Sequence, residues 1–303
     1  MMMPTRRRLL IGLTALLCLS GSPQARAAEK LRMLIIDGQN NHDWKLMTPP
    51  MKASLEATGR FTVDIATTPP AKSAAEAWND FRPDFTKYDV VLSNYNGELW
   101  PKPVQEALVS YVKKGGGLVV VHAANNAFEP WPEWNDMIGL GWRNNKFGER
   151  VTTDDDGKVV HTPKGEGPSS GHGPQHEYKL VTRDKEHPVT LGMPATWQHS
   201  KDELYHGQRG PAKDMHILAT AFSAKDKGGT GTNEPMIWVI PYGKGRVFTT
   251  VLGHVGAGET QAIRCVGFET VIARGSEWAA TGAVTIPIPK NFPESQVSLS
   301  DTK

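Results

Sequence analysis

The sequence predicts an α/β protein built on a doubly wound, mostly parallel sheet with helices on both faces. Short apolar runs alternate with segments of helical spacing in the N-terminal half, which is the pattern of a parallel sheet. The run Leu118–Val121 is apolar at every position, as in a strand buried on both faces, and three glycines precede it. Polar side chains follow several of these runs, where open α/β sheets bind ligands.

Residues 1–27 have the features of an export signal. Arg6–Arg8 precede the apolar run Leu9–Leu19, which is too short to span a membrane. Ala25–Ala27 has the small residues of a cleavage site. The arginines also suit a twin-arginine signal, so the sequence leaves the Sec and twin-arginine routes open. We therefore expect a periplasmic or secreted protein.

Charge and cysteine content restrict the partners. The chain of 303 residues has a formal net charge of +2, but the predicted signal holds four arginines and no acidic residue. The mature part would therefore have a net charge of about −2, which argues against nucleic acid or a membrane surface as a partner and leaves a homo-oligomer open. Of two cysteines only Cys265 would remain, so an intrachain disulfide is excluded, and its apolar surroundings predict a buried side chain.

We expect one domain over residues 28–286, and its first half alternates strands and helices. Leu31–Ile36 is an apolar run typical of a first strand. Thr48–Pro50 contains the prolines that begin helices, and Val104, Leu108 and Val112 recur at helical spacing. The expected order is strand 31–36, helix 48–58, strand 61–66, strand 88–94, a helix from Pro103 and strand 118–121.

The second half has one long irregular part. Between residues 143 and 176 Gly, Pro, Asp and His predominate, and we expect a surface excursion there. Strand patterns return at 215–222, 236–240 and 246–252, and a final helix is expected at 261–274. The prolines and polar residues of 287–303 predict a disordered tail.

Three histidines follow separate predicted strands. His42 follows the first strand, His122 follows the strand 118–121, and His254 follows the strand 246–252. The carboxyl ends of parallel strands meet at one edge of a sheet, so we expect these imidazoles to converge there. A single histidine in such a place is more often a solvated or core residue. Three together favour a shared site.

Other polar candidates lie near the same edge. His172 and His176 are four residues apart, but Gly173 and Pro174 exclude a regular helix between them. A loop turned over the pocket and a solvent-exposed loop both remain open. Glu203 follows Asp202, and a glutamate whose pKa is raised in a partly apolar pocket can act as a general acid or base. A surface acidic pair is the alternative.

Aromatic residues are also frequent near this edge. The tryptophans concerned are Trp44, Trp100, Trp131, Trp134 and Trp142, and Tyr205 lies two residues after Glu203. Tryptophan rings can stack on the apolar faces of sugars, but they also pack in cores.

Several catalytic signatures are absent from the sequence. It has no Gly-x-Ser-x-Gly, no Gly-x-Gly-x-x-Gly after the first strand and no phosphate-binding loop. Acyl-enzyme chemistry is disfavoured because no serine or cysteine elbow is present. Acid–base or metal-assisted chemistry remains.

Several segments in combination resemble the ThuA-like (trehalose utilisation) family. They are Gly115–Ala124, Asp184-x-x-His187-Pro188, Asp202–Tyr205, Tyr242–Phe248, Leu252–His254 and Arg274–Gly282, and the resemblance runs from about Leu31 to Pro287. It implies a flavodoxin-like fold of the class I glutamine-amidotransferase type that lacks the amidotransferase cysteine and has His122 at the equivalent strand end. It also implies carbohydrate metabolism, with trehalose, related glycosides or their 3-keto derivatives as substrates.

The resemblance also indicates functional positions by motif. The catalytic candidates are His42, His122, Glu203 and His254. The substrate-binding candidates are Trp44, Trp142, Tyr205, His172 and His176.

Three hypotheses follow from these residues. The first is an exported enzyme that hydrolyses, eliminates or isomerises a glycoside or keto-sugar, with His122 or Glu203 as the base and His42 and His254 polarising oxygen or moving protons. The second places a divalent metal among the candidate histidines, since zinc catalysis needs about three protein ligands and an open position. The ligands would come from His42, His122, His172, His176 and His254. The third is a non-catalytic module that binds a small-molecule carbohydrate through its tryptophans.

Overall fold

The computed structural model describes residue 1 and residues 29–301. The expected export signal at 1–27 therefore lies outside the described residues, apart from Met1. Within the described part, no helix has both the length and the apolar character needed to cross a membrane. The strands of this part join one eleven-stranded sheet.

Five strands form the parallel half of the sheet. They are β1 (Leu31–Asp37), β2 (Phe61–Thr67), β3 (Val90–Ser93), β4 (Gly117–Val121) and β11 (Gly245–Thr250), in the order β2-β1-β3-β4-β11. This is the order of a flavodoxin-like sheet, with β11 in the fifth position. The strands predicted in the N-terminal half are confirmed.

The other half of the sheet is antiparallel. It contains β5 (Arg150–Thr153), β6 (Val159–Thr162), β7 (His176–Thr182), β8 (Thr196–Asp202), β9 (His216–Phe222) and β10 (Asn233–Tyr242). β10 pairs with β11, the order continues β10-β9-β7-β8, and β5 and β6 form a hairpin joined to β10. The prediction of a mostly parallel sheet is wrong, because four pairings of the described strands are parallel and six are antiparallel. β7 and β8 are polar, and no continuous apolar run indicated them.

The first helix starts before its prolines. α1 (Trp44–Ala57) begins after Asp43, whose side chain accepts a hydrogen bond from the Leu46 N–H at 3.2 Å. Pro49 and Pro50 lie inside the helix, where each lacks an N–H for the helical ladder. The prolines predict a start at Thr48, and the structure instead begins the helix at Trp44, after the Asp43 cap.

The remaining helices are α2 (Lys102–Lys113), α3 (Pro132–Ile138), α4 (Gln261–Arg264) and α5 (Val266–Thr281). Of these, α2, α3 and α5 pack on the parallel half, and α4 packs on β8, α1 and α5. α5 contacts β3, β4 and β11, and α2 and α3 contact β11. The predicted helix 261–274 is two helices, because the backbone of Cys265 between them is extended. The Cys265 side chain is buried, as predicted.

Residues 287–301 pack on the domain, although the sequence predicted disorder there. The Gln198 N–H donates to the Pro293 carbonyl at 2.7 Å, and the Val266 N–H donates to the Ser298 carbonyl at 2.9 Å. The Phe292 ring lies 5.4 Å from the Trp197 ring. Backbone hydrogen bonds and one aromatic contact thus position a segment whose composition gives no sign of packing.

Candidate functional site

Glu203 lies among three histidines at the carboxyl ends of the strands. Its carboxylate oxygens are 3.2 Å from His254 Nε2, 3.4 Å from His172 Nε2 and 3.6 Å from His122 Nε2. Glu203, His122 and His254 are buried, whereas 37% of the His172 side chain is exposed. The structure thus brings together a carboxylate and imidazoles from four separate segments of the chain.

His42 completes this cluster. Its ring centre lies 4.7 Å from that of His122 and 4.6 Å from that of His254. One nitrogen of His42, one nitrogen of His254 and one oxygen of Glu203 all lie within 4.8 Å of one another, so they can share a metal ion. Two imidazoles and a carboxylate are ligand types that zinc prefers. We call His42, His122, His172, Glu203 and His254 the histidine–carboxylate cluster.

Asp202, at the end of β8, connects the two halves of the sheet at this cluster. Its Oδ2 accepts hydrogen bonds from His199 Nε2 at 2.6 Å and from the Gly253 N–H at 2.8 Å. Its Oδ1 accepts from the N–H groups of Glu203 at 2.7 Å and His254 at 3.1 Å. Gly253 has a φ of +113°, which favours glycine, and this turn brings His254 beside Glu203.

His122 has a constrained backbone and a defined tautomer. Its φ of +48° lies in the left-handed region, which is uncommon for a residue with a side chain. Its Nδ1 lies 2.7 Å from the Val251 carbonyl, which can only accept, so Nδ1 holds the proton. Nε2 of His122 faces the pocket, 3.3 Å from the Tyr205 hydroxyl and 3.6 Å from a Glu203 carboxylate oxygen.

His254 lies between Gln175 and Glu203. The amide nitrogen of Gln175 is 3.2 Å from His254 Nδ1 and 3.4 Å from His254 Nε2, and His254 Nε2 is 3.2 Å from a Glu203 carboxylate oxygen. Gln175 and Glu203 thus both contact this imidazole.

The cluster keeps Glu203 ionised. Burial raises the pKa of Glu203, but hydrogen bonding to His122 and the charges of His122, His254 and His172 outweigh it and hold this pKa below its usual value. The sequence suggested a raised pKa for this carboxyl, and the structure gives the opposite direction. The neighbouring imidazoles are the reason.

Other groups of the pocket stay uncharged. Burial, with the charges of His122 and His254, lowers the pKa of His42 to about 3. Burial also lowers the pKa of His254, and it raises the pKa of the Tyr205 hydroxyl. Near neutral pH the pocket therefore holds neutral His42 and His254 beside a carboxylate. Metal ligation and general-base chemistry both need these protonation states.

The aromatic candidates fall into separate places. Trp142 lies in the pocket wall, with its ring 4.7 Å from Tyr205 and 5.7 Å from His172. Trp44 lies outside the cluster on the first turn of α1, where Lys45 Nζ is 5.6 Å from its ring centre. The remaining three belong to the buried core rather than to the pocket edge: Trp100, Trp131 and Trp134.

His176 does not join the cluster. Its Nδ1 donates to the Pro174 carbonyl at 2.8 Å, and its ring lies 5.6 Å from that of Tyr178. Of the pair four residues apart, only His172 reaches Glu203, and His176 is the first residue of β7, where it pairs with Asp202 of β8.

Sequence reasoning missed two arginines that support the pocket. The buried guanidinium of Arg143 donates to the carbonyls of Asn126 at 2.7 Å and Ala127 at 2.6 Å, in the segment after His122. Arg209 donates to the Pro168 carbonyl at 2.6 Å and thereby fixes the loop before His172. Neither arginine lies in a pattern that distinguishes it from surface arginines.

Two of the motifs in the sequence are structural. The Arg274 guanidinium donates to the carbonyls of Val189 at 2.7 Å, Pro188 at 2.8 Å and Leu191 at 2.9 Å. Asp184 accepts from the His187 N–H at 3.0 Å and closes the same turn. The Asp184-x-x-His187-Pro188 motif and the segment that begins at Arg274 therefore stabilise each other away from the pocket.

The fold and the cluster together define an α/β protein with a polar pocket at the carboxyl ends of its parallel strands, which is where such sheets bind small molecules. A family model described as trehalose utilisation, ThuA, matches residues 32–279. The chain therefore belongs to the ThuA family.

Solved structures agree with this assignment. A ThuA-like protein from Parabacteroides merdae is 43% identical, with a TM-score of 0.85 over 90% of this chain and 98% of that chain. A ThuA-like protein from Bacteroides uniformis is 18% identical, with a TM-score of 0.57 over 88% and 97% of the two chains, and shares the fold. Curated proteins give no match. Family membership supports a role related to sugars.

Proposed function

We propose that this chain is an exported carbohydrate-processing enzyme that acts on a glycoside or a 3-keto sugar by histidine–carboxylate acid–base chemistry. The observation that supports it best is Glu203, a buried carboxylate within 3.6 Å of three imidazoles. The pKa of Glu203 is held below its usual value, so the carboxylate is ionised near neutral pH and its oxygens are available to accept a proton, although the lowered pKa makes it a weaker base. Membership of the ThuA family supports a sugar as the substrate.

The pocket offers complementary roles for its side chains. Glu203 would remove a proton from the sugar, and His122 Nε2 could take that proton onward because it faces the carboxylate. Tyr205, whose pKa is raised by burial, stays protonated and can donate a hydrogen bond to a developing oxyanion. In a 3-keto sugar the carbonyl acidifies the adjacent C–H, so a base and a donor suffice to begin elimination or isomerisation. Trp142 would pack on the sugar ring.

A substitution of Glu203 tests this function. Purified protein is incubated with glycosides and 3-keto glycosides, and products are detected by mass spectrometry. Glu203→Gln should lower turnover about 10²–10⁴-fold, since this is the usual contribution of a positioned acid or base. Glu177→Gln, at an exposed position of β7, is the matched control and should keep wild-type turnover. Full turnover by Glu203→Gln would show that acid–base chemistry at this residue is not the mechanism.

Metal-dependent chemistry is a second candidate, which the approach of His42, Glu203 and His254 favours. Three protein ligands and an open position are the pattern of catalytic zinc sites. Metal analysis of protein purified without added metal separates the candidates. A stoichiometric ion that is lost in His42→Ala, with activity lost on chelation, would support the metal. An active, metal-free protein would exclude it.

A further inference from the structure

The strand β6 is an open edge of the sheet with two exposed valines. Among the described strands it pairs only with β5, so its other side has no neighbouring strand. Val159 and Val160, its first two residues, are 43% and 40% exposed. An open strand can pair with another chain, and natural proteins usually cover such an edge or place a charged residue on it. β6 is therefore a candidate contact surface.

The other edges of the sheet are protected, and this distinguishes β6 from them. At the β2 edge, Asp64 places a charge at the middle of the strand. At the β8 edge, the Gln198 N–H donates to the Pro293 carbonyl at 2.7 Å, so the C-terminal segment covers part of the strand. β6 has no Asp, Glu, Lys or Arg among its four residues, and no described strand pairs with its outer side.

The hydrogen bonds of the β5–β6 hairpin determine which backbone groups of β6 point outward. The Asp154 N–H donates to the Lys158 carbonyl at 3.0 Å, so these two residues form a hydrogen-bonded pair of the hairpin. Hydrogen-bonded and non-hydrogen-bonded pairs alternate along an antiparallel ladder, so Val160, two residues after Lys158, also bonds to β5. The N–H and C=O groups of Val159 and His161 therefore point away from β5, toward the open side.

Two copies of β6 complement each other when they meet antiparallel about a two-fold axis at Val160. Val159 of each copy then lies opposite His161 of the second copy, and each of these pairs exchanges two hydrogen bonds, so four bonds join the strands. The two Val160 side chains face each other in a non-hydrogen-bonded pair, where side chains are closest. Apolar surface that is exposed in one copy is thereby buried.

The neighbouring registers of this pairing are less favourable. A two-fold axis at His161 would place Pro163, which lacks an N–H, opposite Val159. An axis at Val159 would place Gly157 opposite His161, but the Gly157 N–H already donates within the hairpin turn at 3.1 Å. Of these three registers, only the axis at Val160 pairs the outward groups of each copy with one another.

The axis at Val160 also brings opposite charges together at both ends of the contact. Asp156 in the hairpin turn and Lys164 after β6 lie four residues before and after Val160, so each approaches the other residue of the second copy. Both side chains are exposed. Exposed ion pairs contribute little free energy, so these pairs favour one orientation rather than supply the affinity.

We propose that two copies of this chain form a two-fold dimer by pairing their β6 strands about Val160. The dimer joins the two sheets edge to edge. The contact is small, so we expect a weak dimer whose population rises with protein concentration. This inference does not depend on the function proposed above, because no residue of the histidine–carboxylate cluster takes part in the contact.

Sedimentation velocity over a range of protein concentrations tests this contact. The wild type should shift from monomer to dimer as the concentration rises. Val160→Lys places two like charges opposite each other at the axis and should raise the Kd of the dimer about 10-fold or more. The matched control is Ile65→Lys, at a position on the β2 edge that is 44% exposed, and it should leave the Kd unchanged. Circular dichroism should show that both variants are folded, because both positions are exposed.

A charge exchange tests the register of the two strands. Asp156→Lys places like charges at both ends of the contact and should weaken the dimer at low salt. Lys164→Asp, added to that variant, should restore the wild-type Kd, because residues 156 and 164 of different copies approach each other. The proposal would be overturned by a wild type that stays monomeric at every concentration, by a Val160→Lys variant that dimerises like the wild type, or by a double variant whose dimer is no tighter than that of Asp156→Lys.

Discussion

A single buried carboxylate determines where two side chains of the cluster lie. Asp202 accepts hydrogen bonds from the N–H groups of Glu203 and His254, and its charge is paired with His199. Both partners of this ion pair are fully buried, so neither can exchange its partner for water. Asp202 therefore acts through the residues it positions, and it does not itself face the pocket.

Asp202→Asn should destabilise the protein and lower its turnover. The amide offers one acceptor oxygen where the carboxylate has two, and it leaves His199 buried without its charged partner. Breaking a buried ion pair in this way costs about 3–5 kcal/mol. Urea denaturation should show the loss as a lower midpoint. Asp156→Asn, at an exposed position, should change stability by no more than about 0.5 kcal/mol. An unchanged midpoint for Asp202→Asn would contradict the role given to this residue.

At the scale of elements, the turn after β7 contains the Asp184-x-x-His187-Pro188 motif, which lies away from the pocket. The His187 ring packs 5.0 Å from Trp278 of α5 and 6.0 Å from His216 of β9, while Asp184 bonds to His216 at 2.7 Å. The His187 Nδ1 accepts from the Val189 N–H at 3.2 Å, which requires an unprotonated nitrogen. The turn is therefore built around a neutral imidazole.

We expect the free energy of unfolding to decrease at acidic pH because of this turn. Burial, with the charge of His216, lowers the pKa of His187 to about 4, although Asp184 opposes the shift. The unfolded chain binds a proton near pH 6.5, so the free energy of unfolding should decrease as the pH falls from about 6.5 to about 4. Urea denaturation at several pH values measures this decrease, and His187→Asn should make it smaller.

The decrease should not vanish in that variant. His42 and His254 also have lowered pKa values and contribute in the same direction. If wild type and His187→Asn lose equal stability over this pH range, the neutral imidazole is not what the turn depends on.

The sequence indicated elements and site residues only where a local pattern accompanied them. The apolar runs predicted β1 to β4, and three histidines at strand ends predicted the convergence that the structure shows. β7 and β8 are polar, so no periodic pattern of apolar residues predicted these strands or their place in the antiparallel half. Gln175 and Asp202 act through contacts with residues far along the chain, such as His254, and no spacing indicates such contacts.

At the scale of the whole molecule, the pocket lies where the two halves of the sheet meet. The parallel half contributes His42, His122 and His254, and the antiparallel half contributes Glu203 at the end of β8. β8 is four strands away from β11 in the sheet order, yet Asp202 bonds to the turn that follows β11. The sheet therefore curls until its far edge closes the site, and contacts that support β8 also support the pocket.

The C-terminal segment makes such contacts, and its removal should destabilise the whole domain. Pro293 accepts a hydrogen bond from Gln198 on β8, and Ser300 exchanges hydrogen bonds with Arg264 of α4. Each hydrogen bond contributes about 0.5–1.5 kcal/mol, so truncation after residue 286 should cost about 2–5 kcal/mol. Thermal and urea unfolding measure this loss against a control that ends at Asp301. Because the segment holds β8, the truncated protein should also turn over substrate more slowly. Equal stability of the two proteins would instead support the disorder that the composition predicts.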